Sequence, residues 1–453
     1  MLLKVDLTKG NIAFQLTKVS LPIMFTMFVQ MAYNITDMFW IGRIGTGAVA
    51  AVGSVGFFTW LGMAITLMPK IGLEVYSAQS AGQNDEHRLR NVVINGLGVC
   101  VFLAFLYSII SFYFAPSLIH FFHLGDNTDG FDPTTQAIIY FRFISLGFIF
   151  AFLNPCFSAI YNGIGKSKWP FYFNSVGLIL NMILDPLLIY GNAFFPRLEV
   201  KGAAWATIIS QCVVAVLFYS SLRKHFPFLK KTSSILRFNK EYSLKIIRIG
   251  LPPSLQSMMF AVIAIVIARI ISQWGAVSIA VQRIGSQIEA ISWMTASGFS
   301  TAVSTFVGQN FGAGKITRIR QGFLTATGIM TGVGIINSLV LFLFPEFLYQ
   351  IFVREPDTIQ QGVVYLTIVS FSQLFMCLET ATQGAFNGVG NSLPPSIVGI
   401  VFNTLRIPAS LLLSSTCLGI TGIWWTISIS SIMKGLILWG WFALYFTHRW
   451  GRT

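Results

Sequence analysis

Charge is what this sequence has least of. Only 10% of its 453 residues are Asp, Glu, Lys or Arg, while 54% are hydrophobic. A soluble chain of this length cannot cover its surface with so few charges, so lipid is the solvent for most of it. Cysteine is scarce too, with only Cys100, Cys156, Cys212, Cys377 and Cys417. All five fall in apolar stretches and no CxxC occurs, which argues against a disulfide framework. Of the five histidines, His120 and His123 have metal-ligand spacing but read as a loop-facing pair. There is no HExxH or GxSxG, and no helix-borne His accompanies the acids, so nothing supports an intramembrane enzyme.

Apolar length is what the chain has in abundance. Twelve continuous apolar runs lie between residues 14 and 446, and about twenty such residues span the hydrocarbon as a helix. The runs are continuous, not ten-residue alternating segments, which excludes an outer-membrane β-barrel. The first run follows a lysine-bearing leader and is too long for a signal h-region, so it is expected to be retained. The glycines in and beside these runs, Gly42, Gly45, Gly47, Gly53, Gly56, Gly332 and Gly334 among them, read mainly as close-packing sites between helices.

The net charge of +14 could suggest nucleic acid, but its distribution argues otherwise. With the N-terminus in the cytoplasm, 20 of the 30 bases fall in inward-facing segments, eight of them between residues 223 and 248. The opposite loops hold Asp126, Asp129, Asp132, Glu199, Glu346, Glu355 and Asp357. That is the positive-inside pattern, with both termini cytoplasmic. A multi-pass protein of the plasma (inner) membrane is expected, surrounded by lipid and with no nucleic-acid partner.

The chain also repeats itself. Residues 78–90 (AQSAGQNDEHRLR) return as 308–320 (GQNFGAGKITRIR), 161–165 (YNGIG) as 386–390 (FNGVG), and 201–207 (KGAAWAT) as 421–427 (TGIWWTI). Echoes in one order at nearly constant spacing mean a duplicated half. Six helices per copy give both the same orientation, hence two six-helix bundles related by a pseudo-two-fold along the membrane normal. The expected fold is an all-α integral membrane protein. Its lobes are 1–222 and 249–453, joined by a basic cytoplasmic linker, 223–248. Pro22 and Pro252 occupy matching positions in the first helix of each lobe and are candidate hinges.

Four acids fall inside the apolar runs: Asp37, Asp185, Glu289 and Glu379. Each would cost about 2.5 kcal/mol or more facing lipid, so each is expected to face the protein or a watery cavity. Asn181 and Asp185 are four apart, on one helical face, and Tyr33 and Asp37 repeat that spacing. If the two faces meet, crowded carboxylates would hold either a proton or Na⁺, a hard cation that takes oxygen ligands. The structural alternative is that Asp185, before Pro186, stabilises a helix end and Asp37 pairs with a buried Arg. Glu289 and Glu379 could contact a cationic substrate or pair with Arg283 or Arg406. Pro, Asn and Gly recur in both halves, but Asp185 stands opposite Ile407 when Asn181 is aligned with Asn403.

Residues 33–42 (YNITDMFWIG), 307–314 (VGQNFGAG), 162–167 (NGIGKS), 181–186 (NMILDP) and 202–207 (GAAWAT) together resemble the multidrug and toxic compound extrusion family. The resemblance covers essentially the whole chain. It implies a V-shaped cleft and Na⁺- or H⁺-driven antiport of small organic cations and amphipaths, without a cofactor and as a monomer. It also implies a first-lobe cation site at Asp37, Asn181, Asp185 and Thr207, with Tyr33 nearby. Where NorM-like members carry a glutamate on the seventh helix, residues 251–257 (LPPSLQS) offer Gln256. The acid expected on the tenth helix is represented by Glu379, offset by about a turn. The chain thus looks closer to DinF-like or MepA-like members, and Gln256, Glu289 and Glu379 become candidates for the substrate cavity. A lipid-linked oligosaccharide flippase of the related superfamily is the alternative, disfavoured by the acid-rich first lobe and the helix count.

The orientation is testable. Green fluorescent protein fused after Thr453 is expected to fluoresce and alkaline phosphatase at the same point to be inactive; the reverse pattern would place the C-terminus outside.

Overall fold

Backbone N–H and C=O groups find no partner in lipid, so an apolar run must satisfy them internally as a helix. The computed structural model describes residues 5–122, 132–191, 196–226 and 239–450. Helices α1 (Ile12–Gly42), α2 (Thr46–Gln83), α3 (Glu86–His120), α4 (Pro133–Gly163), α5 (Lys168–Tyr190) and α6 (Val200–His225) form the first half. Helices α7 (Lys240–Ile271), α8 (Ala276–Gly312), α9 (Ile316–Leu343), α10 (Pro345–Gln350), α11 (Pro356–Gly388), α12 (Leu393–Ser414) and α13 (Ile420–Trp450) form the second. Apart from the six-residue α10, these are the twelve long helices expected, and no strand occurs among the described residues. Eleven segments are long and apolar enough to cross a membrane. The exception among the long helices is α8, which carries Arg283, Glu289 and several amides.

An apolar face is left exposed on α3. Phe102, Phe105, Leu106, Ile109 and Tyr113 are exposed along one face, while Cys100, Ala104, Tyr107, Ser111 and Ala115 are buried along another. An exposed aromatic stripe of this kind suits hydrocarbon. At the polar ends, acids cap helices: Asp85 accepts from the Arg88 backbone N–H at 2.8 Å and Asp132 from that of Thr134 at 3.0 Å. Hydrogen bonds from Thr135 and Thr134 hold the Asp132 carboxyl below its usual range.

The described residues of Met1–Val5 and Phe25–Leu251 make one compact unit, and those of Asp6–Met24 and Pro252–Thr453 the other. The division therefore falls inside two helices, just after Pro22 in α1 and at Pro252 in α7. In the second unit the chain ahead of α1 is strapped down by the repeated motif. Gln309 accepts from Leu7 N–H at 3.1 Å, and Lys315 Nζ and Arg318 Nη2 donate to the carbonyls of Thr8 and Gly10 at 2.7 and 2.8 Å. Much of the basic linker, residues 227–238, lies outside the described residues, as do Asp126, Asp129 and His123.

The duplication becomes physical at the glycines. A Cβ on Gly163 would meet the Glu74 carbonyl at 2.6 Å, and one on Gly388 would meet the Ser304 carbonyl at 2.7 Å. Likewise Gly202 abuts the Leu188 carbonyl and Gly422 the Leu413 carbonyl, at 2.3 and 2.6 Å. Each motif keeps glycine where one helix rides against another's backbone. The glycines singled out from sequence are mostly not of this kind. At Gly42, Gly45, Gly53, Gly56 and Gly332 a Cβ would meet nothing within 4 Å, whereas Gly334 packs on Leu374. Loose helix ends and lipid-facing positions carry glycine as readily as contacts do. Cys417 also departs from expectation: α12 ends at Ser414, so this thiol is exposed in the turn before α13.

At Gly250 of α7 a Cβ would stand 1.8 Å from the Met68 carbonyl of α2, a backbone atom that cannot swing aside. Gly250→Leu is expected to cost about 1–3 kcal/mol by overpacking and to lower the thermal midpoint in detergent. Gly328→Ala, where nothing lies within 4 Å, serves as the control; equal midpoints for the two variants would refute the contact.

Candidate functional site

The first unit brings together the residues that spacing alone had put on two separate faces. Tyr33 and Asp37 lie one turn apart on α1, Asn181 and Asp185 one turn apart on α5. Close packing of α5 on α6 completes the set. Gly202 admits the α5 backbone at Leu188, and Gly177 admits Val214 of α6. Thr207 and Ser210 of α6, three apart and so on one face, are thereby carried toward the acids. Asp37 is flanked by Asp185, Asn181 and Thr207, and Tyr33 by Ser210 and Thr207, with both acids in electrostatic range.

Burial is deep and hydrogen bonding is sparse. Asn181 and Asp185 are fully buried, and Asn181 Nδ2 donates to Asp185 Oδ1 at 3.2 Å. Thr207 spends its hydroxyl proton on the Ala203 carbonyl one turn back, 3.0 Å away, leaving its oxygen lone pairs available. Five enclosed oxygens have no hydrogen-bond partner among the described residues: Tyr33 OH, Asp37 Oδ1, Asn181 Oδ1, Asp185 Oδ2 and Ser210 Oγ. None of the residues flanking Asp37 is basic, so the alternative of an Arg partner does not describe this site. Pro186 lies inside α5, not beyond its end, and Asp185 therefore does not cap that helix. An enclosed cluster of oxygens around two carboxylates can hold a proton or a hard monovalent cation.

Two participants escaped the sequence reading. Ser210 was signalled by its three-residue spacing from Thr207. Tyr140 of α4, in electrostatic range of both acids, carried no local signal, since only the tertiary fold brings it there.

The second unit treats its acids differently. Gly285 of α8 lets the Tyr365 ring approach to where a Cβ would stand 2.2 Å away. One turn on, Tyr365 OH donates to Glu289 Oε1 at 2.5 Å, and Gln373 Nε2 donates to Glu289 Oε2 at 3.4 Å. Glu379 of α11 is ion-paired with Lys434 of α13 at 3.1 Å, both side chains at least 86% buried. Neither acid thus pairs with Arg283, which is exposed. Gln256 of α7 lies against Gly399 of α12 with its Oε1 enclosed and unpartnered. At the position matching Asp185, Ile407 contributes no charge, while Asn403 is buried like Asn181. His120 is exposed at the end of α3, and no group of three or more His, Cys, Asp or Glu residues suited to a metal occurs among the described residues.

Comparison with known proteins agrees with the fold. A protein called probable multidrug resistance protein NorM from Thermotoga maritima is 29% identical over 417 residues, 90% of this chain and 88% of that one. A FAD transporter from Shewanella oneidensis is 23% identical, covering 93% and 92% of the two chains. Among solved structures, an outward-facing multidrug resistance MATE family transporter superposes with a TM-score of 0.87 at 22% identity, covering 98% of this chain and 97% of that one. The MatE family profile matches residues 22–187 and again 249–412, one match per half. With most of both halves accounted for, the chain belongs to the MatE family of multidrug efflux transporters, and it is a membrane transporter, not an enzyme.

Proposed function

We propose that the protein is a cation-coupled antiporter of the plasma membrane, exporting small cationic and amphipathic compounds by alternating access. The observation that carries this reading is the enclosed oxygen cluster at Asp37 and Asp185, carried on apolar helices and without a basic partner among its described neighbours. Two adjacent carboxylates away from water repel each other, and a bound H⁺ or Na⁺ offsets one charge. If Na⁺ is the coupling ion, Asp37, Asn181 and Asp185 are its ligands, with Thr207, Ser210 and Tyr33 supplying further oxygens. The site then changes charge by one during a cycle, and moving that charge across the membrane supplies about 2.3 kcal/mol per 100 mV.

Alternation requires a part that bends. The division between compact units falls beside Pro22 in α1 and at Pro252 in α7, which favours both prolines as hinges between lobes at 1–222 and 249–453. Asp37 shares α1 with Pro22, so ion binding and bending act on one helix. Gln256, Glu289 and Glu379 are assigned to the substrate side. Of these, Glu379 is the least available to a cation, being already matched by Lys434. Gln256 in place of a seventh-helix glutamate keeps this chain nearer DinF-like or MepA-like members than NorM-like ones. The protein acts as a monomer with both termini cytoplasmic.

Asp37→Asn and Asp185→Asn are each expected to abolish ethidium efflux from cells at normal expression, since each removes a charge that the ion needs. Thr207→Val is expected to weaken apparent ion affinity by about tenfold, one lost ligand being worth about 1–1.5 kcal/mol. Wild-type efflux by Asp37→Asn would refute the coupling assignment. In proteoliposomes, uptake of dye against an imposed Na⁺ gradient with no pH gradient identifies Na⁺, and the converse identifies H⁺; transport under neither gradient alone would refute antiport.

A further inference from the structure

Arg406 is a base within an apolar helix of the second unit, and it makes no ion pair among the described residues. It lies on the inward face of α12, three residues after buried Asn403, seven after Gly399 and four before buried Ser410. A lipid-facing guanidinium would be costly, and that placement excludes it. Its Nε donates to Ser430 Oγ at 2.7 Å and its Nη2 to Ser431 Oγ at 3.0 Å. Ser430 in turn gives its own proton to the Ile427 carbonyl at 2.8 Å, so its lone pairs are fixed on the guanidinium. Two buried hydroxyls of α13 therefore hold the fork in one orientation, and Nη1 makes no hydrogen bond among the described residues while Arg406 stays partly accessible.

The nearby acids are already engaged. Glu379 pairs with Lys434, and both oxygens of Glu289 accept from Tyr365 and Gln373. Both acids stand in electrostatic range of Arg406 but neither makes an ion pair with it. A second donor of the same cluster, Trp424 Nε1, is enclosed without an acceptor; its ring packs edge-on against Tyr365, 5.5 Å between centroids. A buried, oriented guanidinium with free N–H groups is the partner that a planar carboxylate or a phosphate oxygen pair requires.

We propose that Arg406 is the docking point for a carboxylate or phosphate oxyanion of an amphipath, so that this transporter accepts zwitterionic and acidic compounds as well as cations. The inference rests on the transporter reading and extends its substrate class. Glu289 acts as the internal competitor, a buried carboxyl group that the incoming oxyanion must tolerate.

The test uses a matched dye pair, rhodamine B with its free carboxylate and rhodamine B ethyl ester, binding to the full-length protein in phosphatidylcholine nanodiscs. The ratio of acid to ester affinity is expected to fall about tenfold in Arg406→Gln and less in Arg406→Lys, which keeps the charge but not the fork. Glu289→Gln is expected to raise the same ratio, and loss of folding cannot produce a gain. An unchanged ratio in Arg406→Gln, or a lowered one in Glu289→Gln, overturns the proposal. If Arg406→Gln does not fold, the Glu289→Gln result decides. Phosphatidylglycerol added to the discs separates the sources: competition with the acid dye in the wild type supports a lipid headgroup as the oxyanion, and no competition supports the soluble compound. Ethidium efflux is followed in parallel. Efflux without an acid preference that depends on Arg406 overturns this inference alone, whereas no efflux overturns the transporter reading itself.

Discussion

Everything polar inside the membrane must be answered by something else inside the protein, and this chain answers its buried acids in two different ways. In the first unit Asp37 and Asp185 meet each other, an amide, hydroxyls and a phenol. In the second, Glu379 meets an ammonium and Glu289 meets a phenol and an amide beside a guanidinium. A carboxylate matched by a fixed cation has little use for a mobile one. A carboxylate surrounded by neutral oxygens has strong use for it, because the oxygens solvate a cation that they do not supply. The two halves of a duplicated chain thus surround their buried acids differently.

The duplication supplies backbone and not chemistry. Gly163 and Gly388 end their helices against equivalent carbonyls, those of Glu74 and Ser304. Gly165 and Gly390, with φ of 81° and 85°, make the same turn out of the helix, and each donates to an Asn carbonyl three residues back at 2.8 Å. Such positions tolerate almost no substitution, since any side chain would strike main chain or strain a left-handed turn. The polar residues one or two turns away are under no such constraint. Asn181 and Asn403 recur in both halves, whereas Asp185 is answered by Ile407.

The long helices were legible in the sequence because hydrocarbon imposes a length and a composition on every span. The site was legible in part, through two four-residue spacings on α1 and α5. Spacing identifies a face but not what the face meets. The choice between Glu289 pairing with an arginine and accepting from Tyr365 depends on Gly285, which sets how near α11 comes to α8. Lys434 as the partner of Glu379 was equally hidden, since the two are 55 positions apart (434 − 379) on different helices. The glycines in and beside the apolar runs misled for a related reason. A missing Cβ records that contact is permitted, and only the neighbouring helix decides whether it occurs.

Asp37 lies on a helix that the boundary between the compact units divides. Pro22 removes one backbone hydrogen bond from α1, and the residues up to Met24 belong to the second compact unit while those from Phe25 belong to the first. The ahead-of-helix strap through Leu7, Thr8 and Gly10 fastens the start of α1 to α8 and α9. One helix is therefore anchored at its N-terminal end in one unit and carries Asp37 in the other. In the proposed cycle, a cation that draws Asp37 toward Asp185 would act on the far side of the proline from that anchor, where α1 lacks a backbone hydrogen bond. Had the acids lain on α4, which sits wholly in the first unit, ion binding would have tightened one lobe without reaching the element that joins it to the other.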